Sequence, residues 1–289
     1  MATRVGLGLI DWPFDSVEGY WRWVDLCETG GIDSLWQSDR LVGEAPALEC
    51  LSVMAALAGR TRRLKFGMSV LSLGWREPLV VAKACATIDL LSGGRLLPAF
   101  GLGALVMPEW AALGRAPEGQ GKAFDAALEL ISRLWRGETV NGARISPLPV
   151  QPELPLWIGG SSPAAIRRTA RYGTGWLGGV EAPEEAGRIV AAIQSEAQAL
   201  GRSIDPDHFG ASIFFRLLAQ GESADPNAWA LRPGMANGVV AGTADDVLAR
   251  IRAYEAAGVT KLVLRPLGRG DREILGQTER LIAEVLPRV

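Results

Sequence analysis

The strongest constraint in this chain is its alternation. Short apolar runs and amphipathic stretches follow one another from end to end. Strand-like runs fall at 4–10, 32–37, 64–71, 95–101, 154–159, 175–177, 209–218 and 261–265. Helical patterns fall at 16–29, 45–58, 78–91, 119–136, 163–172, 183–200, 244–257 and 271–286. That makes about eight βα repeats, the number that closes a (β/α)8 barrel. The runs are apolar on both faces, as parallel strands covered by helices must be. The expected fold is therefore α/β: a TIM barrel with loop insertions at its C-terminal face. With no break in composition, it is read as a single domain over 1–289.

A doubly wound sheet is the competing architecture. Gly101-Leu102-Gly103 matches the start of its dinucleotide fingerprint, but the third glycine position is Val106 and the chain runs on as Pro-Glu-Trp rather than opening a helix. The longest irregular segments are 102–118, 137–153 and 219–242. Loops of that length usually carry function. The first and third follow strands and belong at the barrel mouth; the second follows a helix and belongs elsewhere.

Composition excludes several classes of function. Hydrophobic residues make up 48% of the 289 and charged residues 21%, enough for a sizeable core. A net charge of −2 gives no reason to expect nucleic acid or an anionic membrane as partner. No apolar run approaches the ~20 residues of a membrane span. The opening MATRVGLGLIDW has no signal-peptide layout, so a cytoplasmic protein is expected. Cys27, Cys50 and Cys85 lack metal spacing and read as reduced, buried thiols. The single histidine, His208, reads as structural, leaving little for a catalytic triad or a histidine-bound zinc. No metal site is expected.

Barrel active sites lie at the C-terminal strand ends. Here those positions hold Asp11 and Trp12, Ser38 to Arg40, Ser69 to Trp75, Gly101 to Trp110, and Gly159 to Ser162. The set is poor in acids and bases but rich in glycine, serine and tryptophan. Such a mouth suits a flat aromatic ligand, with glycines admitting it and Trp12, Trp75 and Trp110 walling it in. A cofactor that performs the chemistry itself needs only positioning. In LWIGGSSPAAIRR, a strand ends at Gly159-Gly160, a serine can cap and Pro163 can open a helix. Free N–H groups there would cradle a phosphate, although a capped turn that binds nothing reads equally well.

Taken in order, these segments resemble the luciferase-like family of flavin- and deazaflavin-dependent oxidoreductases. The longest stretch is RRLKFGMSVLSLGWREPLVVAKACATIDLLSGGRLLPAFGLG, followed by EWAALG, ALELISRLWRGE, LPLWIGGSSPAAIRRTARYGTGWLGG and VVAGTADDVLARIRAYEAAGVTKLVLRP. The resemblance implies that Gly101, Leu102 and Gly103 lie near the cofactor's tricyclic ring, with Asp39, Ser69, Val70 and Ser72 as further ring contacts. It implies phosphate contacts at Gly159, Gly160, Ser161 and Ser162. It places Met107 and Trp110 beside the substrate, and a non-prolyl cis peptide at Ser69–Val70. It also implies a homodimer formed through early helices, for which the apolar stretch 45–58 is the candidate.

Two positions depart from the family's patterns. Many deazaflavin members carry Asp-His after the second strand, where this chain has Asp39-Arg40. The sugar-phosphate dehydrogenase branch has a glutamate after its Gly-x-Gly, where this chain has Ala104. Asp39 and Arg40 are left as the only candidate catalytic side chains, and Asp39 by itself reads as a loop carboxylate. The resemblance implies coenzyme F420 and hydride transfer to or from a small, largely apolar organic substrate. FMN with monooxygenation is the alternative, and a ligand-binding barrel without turnover is a third reading.

Overall fold

The computed structural model describes residues 3–219, 221–222 and 238–289. Its strands are β1 (Arg4–Leu9), β2 (Ser34–Gln37), β3 (Lys65–Met68), β4 (Leu71–Ser72), β5 (Leu96–Leu97), β6 (Ala99–Gly101), β7 (Trp157–Gly159), β8 (Gly175–Leu177), β9 (Phe209–Leu217), β10 (Val239–Gly242) and β11 (Lys261–Pro266). The helices are α1 (Val17–Thr29), α2 (Cys50–Arg60), α3 (Pro78–Ser92), α4 (Glu109–Ala112), α5 (Gln120–Trp135), α6 (Pro163–Tyr172), α7 (Pro183–Ala199), α8 (Ala244–Ala256) and α9 (Asp271–Arg280).

The ladders are all parallel and close the barrel. The sheet runs β4-β6-β7-β8-β9-β11-β1-β2-β3-β5. Its two ends belong together, because β3 and β4 are halves of one stave and β5 and β6 halves of the next. The lower halves pair through Phe66↔Leu96 and the upper halves through Leu71↔Phe100. Pro98, without an N–H to donate, falls at the break in the fourth stave. The break in the third is the cis peptide Ser69–Val70. The closed barrel agrees with the alternation in the sequence.

Inside the barrel, side chains from alternate residues stack in layers. A layer of Trp36, Leu97, Ala99, Trp157, Leu177 and Val263 crosses the centre. Trp36 fits because facing positions are glycine. A Cβ on Gly67 would lie 2.6 Å from its ring, and one on Gly6 would lie 3.0 Å from its Nε1. Below this layer, Lys261 pairs with Asp33 at 2.5 Å. Above it lies the mouth.

Helix ends follow their local signals. Ser16 accepts from Gly19 N at 2.9 Å, Ser162 accepts from Ala165 N at 3.2 Å, and Thr243 forms a capping box with Asp246. Gly93 closes α3 with φ of 66°.

Two expectations are corrected. The helix expected at 45–58 starts only at Cys50. Pro46 has no N–H, and Glu49 caps α2 by accepting from Ser52 N at 2.8 Å. Residues ahead of it run along the barrel rim, where Pro46 O accepts from Trp12 N at 2.7 Å. The loop expected at 219–242 ends in β10, which extends the sheet beside β9; residues 220 and 223–237 of that loop lie outside the described residues. The segment 137–153 is pinned below the mouth, where the Asp89 carboxylate accepts from the N–H groups of Val150 and Gln151 at 2.9 and 3.1 Å.

Candidate functional site

A cleft of about 930 Å³ opens at the C-terminal mouth. That volume suits a cofactor-sized molecule. Its floor and near wall come from the ends of staves one, two, three and eight: Gly8 to Asp11, Ser38 to Arg40, Ser69 and Val70, and Arg265 to Arg269. Gly43, Glu44, Ala45 and Ala47 of the rim complete one side with Met107; Phe214, Arg216 and Glu273 complete the other. The lining is mixed polar and apolar, rather than the tryptophan-walled pocket expected.

Asp39 is held by its neighbours. Arg76 donates to both of its oxygens, Nη1 to Oδ2 at 2.6 Å and Nη2 to Oδ1 at 2.8 Å. Ser72 N donates to Oδ2 at 2.8 Å, and Cys50 Sγ lies 3.4 Å from Oδ1. Arg76 also reaches Glu49 at 2.9 Å. Burial draws the Arg76 pKa down, but the hydrogen bonds and charge of Asp39 outweigh it, and the net shift is upward. Burial first, and then the charge of Asp39, push the Cys50 thiol well up, so it stays protonated. Asp39, Glu49 and Cys50 are close enough to suggest metal ligands. The Arg76 guanidinium already supplies the cation among them. Asp39 thus ties the second stave to Ser72 on the third, and its carboxylate is committed to that task.

Arg40 sits beside it and faces the cleft. Its Nε lies 3.1 Å from Glu109 Oε1, on a fully buried carboxylate at the start of α4. Glu109 Oε1 also accepts from Leu41 N at 3.3 Å. This pair latches the loop after β2 to the loop after β6.

At two strand ends the glycines make room for a side chain of the protein. A Cβ on Gly101 would lie 2.6 Å from Val70 Cγ2, and one on Gly159 would lie 2.8 Å from Val70 Cγ1. Gly103, with φ of 97°, and Gly74 leave room for Trp75 and Trp110, whose rings meet edge to face at 6.3 Å. Trp110 Nε1 donates to Ala104 O at 3.0 Å. Both tryptophans are buried, and Trp12 packs on Phe14 and Tyr20. Of the four residues expected to border the substrate, Trp12, Trp75, Met107 and Trp110, only Met107 lines this cleft. Indoles beyond strand ends found apolar partners within the fold before reaching the mouth.

Asp39, Ser69 and Val70 lie in the cleft wall. Ser72 contributes its N–H to Asp39, and Leu102 follows the strand end, half-buried against the core. Gly160, Ser161 and Ser162 lie exposed at the end of β7, outside the cleft lining. Gly160 has φ of 102°, and its carbonyl accepts from Trp176 Nε1 at 2.9 Å. The His208 ring packs on Trp157, with Nδ1 2.8 Å from Thr174 O, a structural role as expected.

The residue that the sequence reading passed over is Arg265. It stands on the cleft floor, donating to Ser38 Oγ at 3.0 Å and to Ser69 Oγ at 2.7 Å. Within KLVLRP, alternation from Lys261 through Val263 turns it inward at the top of stave eight. That signal was present, though in the linear sequence it looks like a charge closing an apolar strand.

The described residues contain no helix long and apolar enough to cross a membrane. Comparison with known proteins gives a consistent picture. A family model described as luciferase-like monooxygenase matches residues 15–232. An uncharacterised Mycobacterium tuberculosis protein is 31% identical over 168 residues, 55% of this chain and 57% of that protein; the chain thus spans little more than half of that relative's length. An F420-dependent glucose-6-phosphate dehydrogenase of Amycolatopsis mediterranei is 27% identical over 91% of both chains. Among solved structures, monooxygenase RslO1 from Streptomyces bottropensis superposes with a TM-score of 0.84 at 21% identity, covering 98% of this chain and 99% of that one. An F420-dependent secondary alcohol dehydrogenase gives 0.82 at 17% identity, covering 99% and 98%. The chain belongs to the luciferase-like monooxygenase family, whose members are flavin- or F420-dependent oxidoreductases and monooxygenases.

Proposed function

We propose that the protein binds coenzyme F420 in the mouth cleft and transfers hydride between it and a small organic substrate. The observation that carries this reading is the cleft itself: a cofactor-sized volume with Ser69–Val70 on one wall and a buried guanidinium on its floor. Relatives named as F420-dependent dehydrogenases align over nearly the whole chain, which favours F420. When bound, the cofactor would supply the hydride chemistry. The chain's part is to hold the ring against Val70, present hydroxyls from Ser38 and Ser69, and keep Arg40 fixed through Glu109. The glutamate of the sugar-phosphate branch is Ala104 here, so a substrate other than a sugar phosphate is proposed. FMN is the second reading, supported by the fold shared with an FMN-bound Baeyer-Villiger monooxygenase at a TM-score of 0.79.

Titration of the purified protein with F420 and FMN, followed by fluorescence, tests this. F420 is expected to bind with micromolar or tighter affinity, about −8 kcal/mol. A response to FMN alone would move the assignment to the second reading, and no response to either would remove both.

The phosphate end is proposed to lie on the backbone at Gly159–Ser162. Gly160 is a poor test site, because its φ of 102° strains any substituted side chain. Ser161→Glu places a negative charge there without that cost. It is expected to weaken cofactor binding by about tenfold, roughly 1.4 kcal/mol. Unchanged affinity would place the phosphate elsewhere.

A homodimer is also proposed, with its seam on α3 rather than on the 45–58 stretch. Leu79, Val80, Leu90 and Leu91 of α3 are exposed, and residues 11 apart share one helix face. Light scattering is expected to show a dimer that Val80→Glu with Leu91→Glu converts to monomer. A monomeric parent protein at micromolar concentration would contradict this.

A further inference from the structure

Arg265 differs from the other cations that line the cleft. Arg40 has Glu109, Arg269 has Asp11 at 3.2 Å, and Arg216 has Glu222 and Glu273 at 2.8 and 2.6 Å. Arg265 has no carboxylate partner among the described residues; its guanidinium donates to two neutral hydroxyls. It is only 6% exposed. Burial draws its pKa down to about 10, which leaves it a cation at neutral pH. The contrast with Lys261 is direct. Both side chains point into the barrel from β11, but Lys261 is neutralised by Asp33 at the bottom while Arg265 faces the mouth without a counter-charge. On the adjacent stave the facing position is Gly8, where a Cβ would lie 3.6 Å from Arg265 Cγ, so no side chain from there can supply one. Burying a guanidinium without a carboxylate is unfavourable unless a ligand completes it.

We propose that Arg265 is the anion receptor of the cleft, and that the molecule bound there presents a delocalised oxyanion to its guanidinium. Two sources share this chemistry. One is the cofactor ring: taking up a hydride, two electrons with one proton, adds one negative charge that its carbonyl oxygens share. The other is a carboxylate on an organic substrate. The first source rests on the flavin-type reading above; the second does not. Ser38 and Ser69 act as positioning residues, since each accepts from one arm of the guanidinium and thereby fixes its direction.

The test compares the parent protein with Arg265→Met and Arg265→Lys. Apo Arg265→Met is expected to melt no lower than the parent, because methionine fills similar space without the charge. Oxidised and dithionite-reduced FMN and F420 are then titrated without oxygen. Arg265→Met is expected to lose at least tenfold more affinity for the reduced than for the oxidised form. That loss lowers the midpoint potential of the bound cofactor by about 30 mV per tenfold. Arg265→Lys is expected to retain most of the preference. Benzoate is the probe for the second source: a tenfold loss of benzoate affinity at unchanged cofactor potential assigns the receptor to substrate. Redox preference and benzoate affinity both within twofold of the parent would overturn the proposal, as would a parent protein that binds neither reduced cofactor nor benzoate. A parent that binds benzoate but no cofactor removes the flavin-type reading and leaves Arg265 to be judged on benzoate alone.

Discussion

Replacing Asp39 with alanine is expected to destabilise the fold by about 3 kcal/mol, at the lower end of the cost of breaking a buried ion pair from one side. The Asp39 side chain is 1% exposed and the Arg76 side chain 13%. Removing the carboxylate strands the guanidinium and leaves the N–H of Ser72 without its acceptor. Glu49 still reaches Arg76, which is why the lower end applies. Asp39→Asn keeps an acceptor for Ser72 but not the charge, and is expected to fall between Asp39→Ala and the parent protein. Glu49→Gln, on the solvent side of the same node, should cost less than either. Urea unfolding of the three variants provides the measurement. A loss below 1 kcal/mol for Asp39→Ala would mean that the pair does not hold the second and third staves together.

The other large effect is expected at Trp36. Trp36→Ala should cost about 3–5 kcal/mol, the usual range for deleting a buried aromatic from a core. The ring is 2% exposed, its Nε1 donates to Ser34 Oγ at 2.9 Å, and it meets Trp157 at 6.2 Å. The surroundings cannot relax into the space left behind, because the facing residues Gly6 and Gly67 have no side chains to move. Gly67→Ala should not refill the cavity, since its Cβ would lie 2.3 Å from Leu97 O. Trp36→Phe should recover part of the loss. Equilibrium unfolding in urea again decides, and a cost under 1 kcal/mol for Trp36→Ala would show that the layer collapses and repacks.

The cleft depends on both sites. Asp39 anchors the wall that carries Ser69 and Val70. Trp36 belongs to the layer with Val263, two residues before Arg265, beneath the floor. Destabilising either is therefore expected to loosen cofactor binding even though neither change removes a charge from the floor.

The alternation of apolar runs and amphipathic stretches determined the barrel without help. Eight parallel strands with helices between them leave few ways to bury both faces, and closure is one of them. The serine cap ahead of Pro163 was equally legible, because capping is decided within one turn of chain. So was the rank of strand ends from which the mouth is built. The uses of its residues were not. Glycines at Gly101 and Gly159 look the same in sequence whether they admit a ligand or the methyl groups of Val70. Trp75 and Trp110 look the same whether they wall a pocket or pack on each other. Asp39 reads as a loop carboxylate until Arg76, 37 residues away, closes on it. Arg265 reads as the end of a strand until Ser38 and Ser69 prove to be its partners and no described carboxylate does. Periodicity along the chain reports which face of an element is buried. Only the folding together of distant strand ends decides what each buried group meets, and therefore which charge is left for a ligand.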